Sequence, residues 1–236
     1  MITLVEETGS TNADLAAALR DGEGWAEGLW LVARRQTAGR GRQGREWFDG
    51  AGNFMGSSVV LLGNAGPPPA TLSFVAALAV RDACAAALSD SAALGLKWPN
   101  DVLLDGGKLS GILLEMARGH IIVGIGVNLA RAPQVEGRKT AALADVTTPP
   151  PLEDFAASLA AAFDRRLGAW RTYGLGPTLQ AFLSQSIHAQ GSPLTVHDTD
   201  GTVLSGTFAG LEESDGALRL RLADGRERVI RAGDIS

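Results

Sequence analysis

Two rhythms of apolar and polar positions run along the 236 residues, and each switch between them marks an element. The opening "ITLVEE" predicts a strand, and "GSTNADLAAALRDG" a helix whose Thr11 and Asp14 approach capping-box spacing ahead of Leu15 and Leu19. "GLWLVARRQ" and "NFMGSSVVLL" read as further strands, separated by a loop rich in glycine and arginine. After the "PPPA" break, residues 70–89 form an alanine-rich helical stretch. "LGLKWPNDVLLDGGKLSGILLEM" alternates strand-like runs with turn signals at Pro99 and Gly106-Gly107, and "HIIVGIGVNL" reads as a buried strand. Leu152, Phe155, Leu159, Phe163 and Leu167 fall at helical intervals and predict a core-facing stripe, followed by a second helical pattern in "TLQAFLSQS".

From about residue 189 the period shortens. "PLTVHD", "TVLSGTFAGL", "ALRLRLAD" and "ERVIRA" are separated by "DTDG", "EESDG" and "ADGR" turn signals, which predicts a small β-barrel. A barrel of that size is near the lower limit for an independent core, so it is expected to dock on the rest. Strands and helices mix without a regular βαβ alternation, which favours an α+β fold over a doubly wound sheet. The expected division is 1–188 and 189–236.

Composition, 45% apolar and 20% charged, is that of a globular protein. A net charge of -5 without blocks of like charge argues against a duplex nucleic acid or an anionic membrane as partner, so any basic site is local. Residues after Met1 lack the pattern of a secretory leader, and no apolar run reaches membrane-span length, so the expected location is the cytoplasm. The single cysteine, Cys84, lies in an alanine-rich helical stretch and reads as a small hydrophobe. His120, His188 and His197 show neither metal-ligand spacing nor a triad arrangement.

The chemistry concentrates elsewhere. "GRGRQG" at 39–44 has the spelling of a dinucleotide turn, but "REWFDGAGN" follows instead of a helix, and the acidic residue expected for a ribose is missing. Gly107-Lys108 is followed by Leu109, so the phosphate loop of a nucleotide triphosphatase fails as well. The residues alone leave two readings of 39–45: an arginine-bearing loop that closes on a carboxylate or phosphate, or a solvated turn. "STN" at 10–12 is likewise either a helix cap or a ligand contact.

"STN" at 10–12, "RRQTAGRGRQGREW" at 34–47, "KWPNDVLLDGGKLSGILLE" at 97–115 and "GIGVNL" at 124–129 together resemble the biotin protein ligases. The resemblance covers essentially the whole chain. It implies a mixed-sheet catalytic domain with a C-terminal Src-homology-3-like barrel, and an enzyme that activates biotin with ATP and Mg²⁺ as biotinyl-5'-AMP. The acyl group then passes to a lysine of a biotin carboxyl carrier domain, such as that of acetyl-CoA carboxylase. It also implies site residues. Ser10, Thr11, Asn12 and Gln36 would meet the ureido end of biotin, while Gly39, Arg40, Gly41 and Arg42 close over biotin and its adenylate, with Gly111 allowing close backbone approach. Arg45 would hold phosphate and Trp47 adenine. Lys97 and Asn100 would lie on the nucleotide side, with Asn128 at ribose or adenine. Lys108, the best catalytic candidate together with Arg42, would stand between carboxylate and α-phosphate. Asp101 would ligate Mg²⁺ or stand behind such a ligand.

Some members carry an N-terminal winged helix; "STN" starting at residue 10 leaves no expectation of one, and a homodimer stays open. Gln43 stands where many members carry a further basic residue, and contacts from beyond "GDIS" are expected to be lacking. A lipoate or octanoate ligase and a non-catalytic biotin-binding module are the alternatives.

Overall fold

The computed structural model describes all residues except 23, 24, 64, 65, 198–200 and 236, so most of the expected "DTDG" turn lies outside the described residues. In chain order the elements are β1 (Ile2–Thr8), α1 (Thr11–Asp21), β2 (Trp30–Gln36), β3 (Phe54–Leu61), α2 (Leu72–Ala85), β4 (Leu94–Lys97), β5 (Asp101–Leu104), β6 (Gly107–Ala117) and β7 (His120–Val127). There follow α3 (Leu152–Tyr173), α4 (Leu175–Leu183), β8 (Pro193–His197), β9 (Val203–Leu211), β10 (Leu218–Arg221), β11 (Glu227–Ile230) and β12 (Asp234–Ile235).

Seven strands form one mixed sheet in the order β1-β2-β3-β7-β6-β5-β4. Only β1 and β2 run parallel, and α1 is the crossover that a parallel pair requires. The remaining neighbours are antiparallel, with tight connections such as Arg118-Gly119 between β6 and β7. This is the expected α+β arrangement.

Side-chain alternation splits the two faces of the sheet. On one face Trp30, Val32, Phe54, Val60, Val123 and Ile125 join α2 and α3 in the main core, where Phe155, Leu159, Phe163 and Leu167 supply the predicted stripe. On the other face Leu31, Val59 and Ile122 receive Leu15 of α1. Cys84 lies wholly inside the first core, and burial pushes its thiol up to about 12, so it packs as a hydrophobe and stays protonated.

The second sheet is antiparallel in the order β11-β10-β9-β8-β12. Its short fifth strand, β12, pairs Asp234 with His197 and was not anticipated from the sequence. The unit docks as expected: Val196, Phe208, Leu218 and Leu220 belong to the same apolar cluster as α2 and the main sheet. Trp98 donates its indole N–H to the carbonyl of Gly216 at 3.1 Å. Residues 185–187 pair with Leu96 and cover the β4 edge, which would otherwise stand open. Among the described residues, no helix is long and apolar enough to cross a membrane.

Candidate active site

Past the end of α1, the face of the main sheet that carries that helix loses its side chains. Ser57 faces Gly124 across β3 and β7, and Gly111 faces Gly126 across β6 and β7. Small residues at these positions hollow the sheet surface into the floor of a cavity of about 630 Å³, a size suited to a small-molecule ligand. The glycines are sterically required. A Cβ on Gly111 would stand 2.9 Å from Cζ3 of Trp47, and one on Gly126 or Gly124 would overlap the Trp47 indole or the Asn12 amide. Trp47 therefore lies against the floor, its buried indole N–H without an acceptor among the described residues.

One end of the cavity is polar and uncharged. Ser10 is the N-cap residue of α1, yet its hydroxyl makes no capping bond. Ser10, Thr11 and Asn12 are all buried and line the cavity, so helix capping does not account for them. The Thr11 N–H donates to Gln36 Oε1 at 2.7 Å. Thr11 and Ser57 hydroxyls meet at 2.6 Å, Ser57 donates to Asn12 Oδ1 at 2.6 Å, and Asn12 Nδ2 donates to Glu115 at 2.6 Å.

The other end is cationic. Arg40, Arg42, Arg45, Lys97, Lys108, Arg138 and Lys139 line it against Glu46, Asp101 and Asp234, a positive excess within a chain of net charge -5. The 39–47 loop folds back as a hairpin: Trp47 N–H donates to Gly39 O at 2.9 Å, and Gly41 N–H to Arg45 O at 2.7 Å. Gln43 takes a left-handed backbone, with φ of 57°. Arg42 donates to Asn100 Oδ1 at 2.9 Å and to Gly233 O at 3.3 Å. Asn100 is fixed in turn by its own donation to Ile112 O at 2.7 Å. Arg45 donates to Asp234 and, at 2.6 Å, to Gln43 Oε1. A basic side chain at 43 would repel Arg45; glutamine orients it instead.

Lys108 Nζ lies 2.7 Å from Oδ1 of Asp101, an ion pair without the alignment of a hydrogen bond. Lys97, across the β4–β5 hairpin, faces the same carboxylate in register. Burial lowers the Lys97 pKa below its ordinary 10.5, against the opposing pull of Asp101 and with the further push of Lys108. Among the described residues, no group of three or more His, Cys, Asp or Glu is gathered as a metal cage. Mg²⁺ characteristically binds through one or two carboxylates and the phosphates of a nucleotide. With its carboxylate engaged by Lys108, Asp101 fits the position behind such an ion better than direct ligation.

Comparison with known proteins gives this arrangement a family. A profile of the biotin/lipoate A/B protein ligase family matches residues 6–129, more than half of the chain, and one of the biotin protein ligase C-terminal domain matches 191–236. The chain belongs to the biotin protein ligase family. It is 41% identical to a biotin-acetyl-CoA-carboxylase ligase of Paracoccus denitrificans, over 98% of both chains. It is 36% identical to the protein of the same name from Mycobacterium tuberculosis, over 99% of this chain and 88% of that one. The fold is also that of a biotin protein ligase from Aquifex aeolicus, with a TM-score of 0.85, 24% identity, and cover of 100% of this chain and 97% of that one.

Of the residues expected at a biotin ligase site, the cavity gathers Ser10, Thr11, Asn12, Gln36, Arg40, Gly41, Arg42, Arg45, Trp47, Lys97, Asn100, Asp101, Lys108 and Gly111. Two do not line it. Gly39 lies behind, where a Cβ would press on Gln36 and Trp47. Asn128, expected at ribose or adenine, is buried; its amide donates to the carbonyls of Lys108 at 3.3 Å and Ala141 at 3.2 Å. It ties the Lys108 strand to the 139–141 segment.

Other lining residues had no reading as site residues in the sequence. Ser57 was visible only as a polar residue in an apolar strand. Arg138 and Lys139 come from an irregular segment, and Asp234 and exposed His197 from the C-terminal sheet. The aspartate of "GDIS", read in the sequence only as part of an end point, itself reaches the site.

Proposed function

We propose that this chain is a biotin protein ligase in the full catalytic sense. It joins biotin to ATP as biotinyl-5'-AMP and then transfers the biotinyl group to a lysine of the carboxyl carrier domain of acetyl-CoA carboxylase. The observation that carries this reading is a single cavity with two unlike ends, one uncharged and rich in fixed hydrogen-bonding groups, the other cationic.

In the first step a biotin carboxylate oxygen attacks the α-phosphorus of ATP, and the bond to pyrophosphate breaks. In the second, the carrier lysine nitrogen attacks the acyl carbon, and AMP leaves. Two anions must meet first, so catalysis rests on position and positive charge, with no need for a protein nucleophile. Lys108 is the catalytic candidate, a compact ammonium between the two ends, held toward the reacting atoms by Asp101. Arg42 and Arg45 hold phosphate and retain the adenylate, Asn100 orients Arg42, and Lys97 supports the pyrophosphate side. Trp47 packs along the ligand. Mg²⁺ would neutralise phosphate charge as the nucleotide's counter-ion.

At the uncharged end, Ser10, Thr11, Asn12 and Gln36 match the ureido group of biotin, which both donates and accepts. This favours biotin over a lipoyl or octanoyl chain, whose apolar tail would cover the remaining hydrogen-bonding positions of those groups without filling them. We assign residues 1–188 to catalysis and 189–236 to the docked C-terminal unit, and place the enzyme in the cytoplasm. Mass spectrometry of a carrier domain incubated with the protein, ATP and biotin is expected to show the gain of one biotinyl group. A gain with lipoate instead of biotin would overturn the substrate, and release of pyrophosphate with no acceptor labelling would overturn the transfer step.

A further inference from the structure

Glu115 lies on β6 outside the cavity, exposed, and nothing in the proposed reaction touches it. Its carboxylate nevertheless ends the hydrogen-bonded chain that lines the uncharged end, accepting from Asn12 Nδ2 at 2.6 Å. We infer that Glu115 is the positioning residue that fixes the direction of every hydrogen bond in that chain, and so the donor and acceptor pattern offered to the ligand. The inference rests on the biotin reading above.

Each direction follows from the protons available. A carboxylate only accepts, so Asn12 must turn its NH₂ toward Glu115 and its carbonyl oxygen toward Ser57. Ser57 has one hydroxyl proton, and it goes to Asn12 Oδ1 at 2.6 Å. The 2.6 Å contact between Ser57 and Thr11 must then be donated by Thr11. With that proton used, the 3.1 Å approach of Thr11 Oγ1 to Gln36 Oε1 is no second donation, and Gln36 Oε1 is served by the Thr11 backbone N–H at 2.7 Å. Thr11 lines the cavity, and its Oγ1 is left with open lone pairs, an acceptor for a ligand N–H. Were the Asn12 amide turned over, each of these bonds would reverse, Thr11 would donate to Gln36, and the acceptor would weaken. Ser57 alone does not forbid that reversal, since a serine hydroxyl donates or accepts equally well.

Exchanging the two partners tests this. Glu115→Leu is expected to weaken biotin binding by about tenfold in calorimetry, the loss of one charge-assisted hydrogen bond. KM for ATP should stay unchanged, which a general structural defect would not allow. Asn12→Asp sets two carboxylates against each other and should weaken binding about a hundredfold. Adding Glu115→Gln to Asn12→Asp should recover roughly tenfold, because the amide introduced on β6 then donates to the carboxylate introduced on α1, which still accepts from Ser57. Wild-type biotin affinity in Glu115→Leu, equal losses for biotin and ATP, or no recovery in the double variant would each overturn the inference while leaving the biotin reading standing. A wild-type protein that takes up no biotin would overturn that reading itself, and the inference with it.

Discussion

Lys108 is positioned from three sides. Asp101 faces its ammonium at 2.7 Å, its backbone N–H donates to Lys139 O at 2.9 Å, and its carbonyl accepts from Asn128. Removing the charge while keeping that frame isolates the electrostatic role. Lys108→Ala is expected to slow adenylate formation by about 10²–10³-fold, the loss typical of one preorganised donor, with the melting temperature little changed; pyrophosphate release measures it. Asn128→Ala acts one step back. It removes the side-chain donor from the carbonyls of Lys108, which keeps only the Ala141 N–H, and of Ala141, and should lower kcat through a less well-placed ammonium while also lowering stability by about 1–3 kcal/mol in urea unfolding. A change confined to KM for ATP would instead restore the adenine contact implied by the family resemblance.

Each element of the site follows a different rule, and legibility in the sequence follows the rule. The stripe of α3 and the apolar runs of β3 and β7 were readable because burial imposes a period on them. The glycine-arginine loop and "KWPND" were readable as motifs. The hydrogen-bonded chain through Ser57 and Glu115 was not, because it joins three elements whose register only the folded sheet sets. Asn128 was legible as a site residue but not in its observed partners, which lie 13 and 20 residues away in sequence. The start of α1 shows where a local rule yields. Serine at an N-cap ordinarily contributes about 1 kcal/mol through its side chain, but Ser10 makes no such bond. Ser10→Ala should therefore leave thermal stability within about 0.5 kcal/mol while raising KM for biotin several-fold. A full capping loss with unchanged KM would return Ser10 to the role of a helix cap.

At the scale of the whole molecule, the two sheets meet over the cationic end of the cavity. Asp234 of β12 reaches Arg45 directly and stands 3.9 Å from Arg42, while the neighbouring carbonyl of Gly233 accepts from Arg42. The C-terminal sheet thus supplies the anion that holds the arginine loop down before any phosphate arrives. Burial alone would raise the Asp234 pKa, but the hydrogen bond from Arg45 and the charges of Arg45, Arg42 and Arg138 outweigh it and hold the group below its ordinary 3.8. A lowered carboxylate pKa contributes stability above the unfolded value and loses it as pH falls through the folded one. The contribution should be intact at neutral pH and vanish only below pH 3.8. Because Asp234 is about a third exposed, Asp234→Asn should cost no more than about 1 kcal/mol at pH 7, a difference that closes in acid; urea unfolding at both pH values reads it. The same substitution should make residues 39–47 of the ligand-free protein several-fold more susceptible to protease. Adding biotin with ATP should restore protection, since phosphate oxygens then take over the guanidinium groups that Asp234 had held. Loop protection equal to wild type in the ligand-free variant would mean that the hairpin's own backbone bonds suffice, and that the C-terminal sheet plays no part in holding the loop.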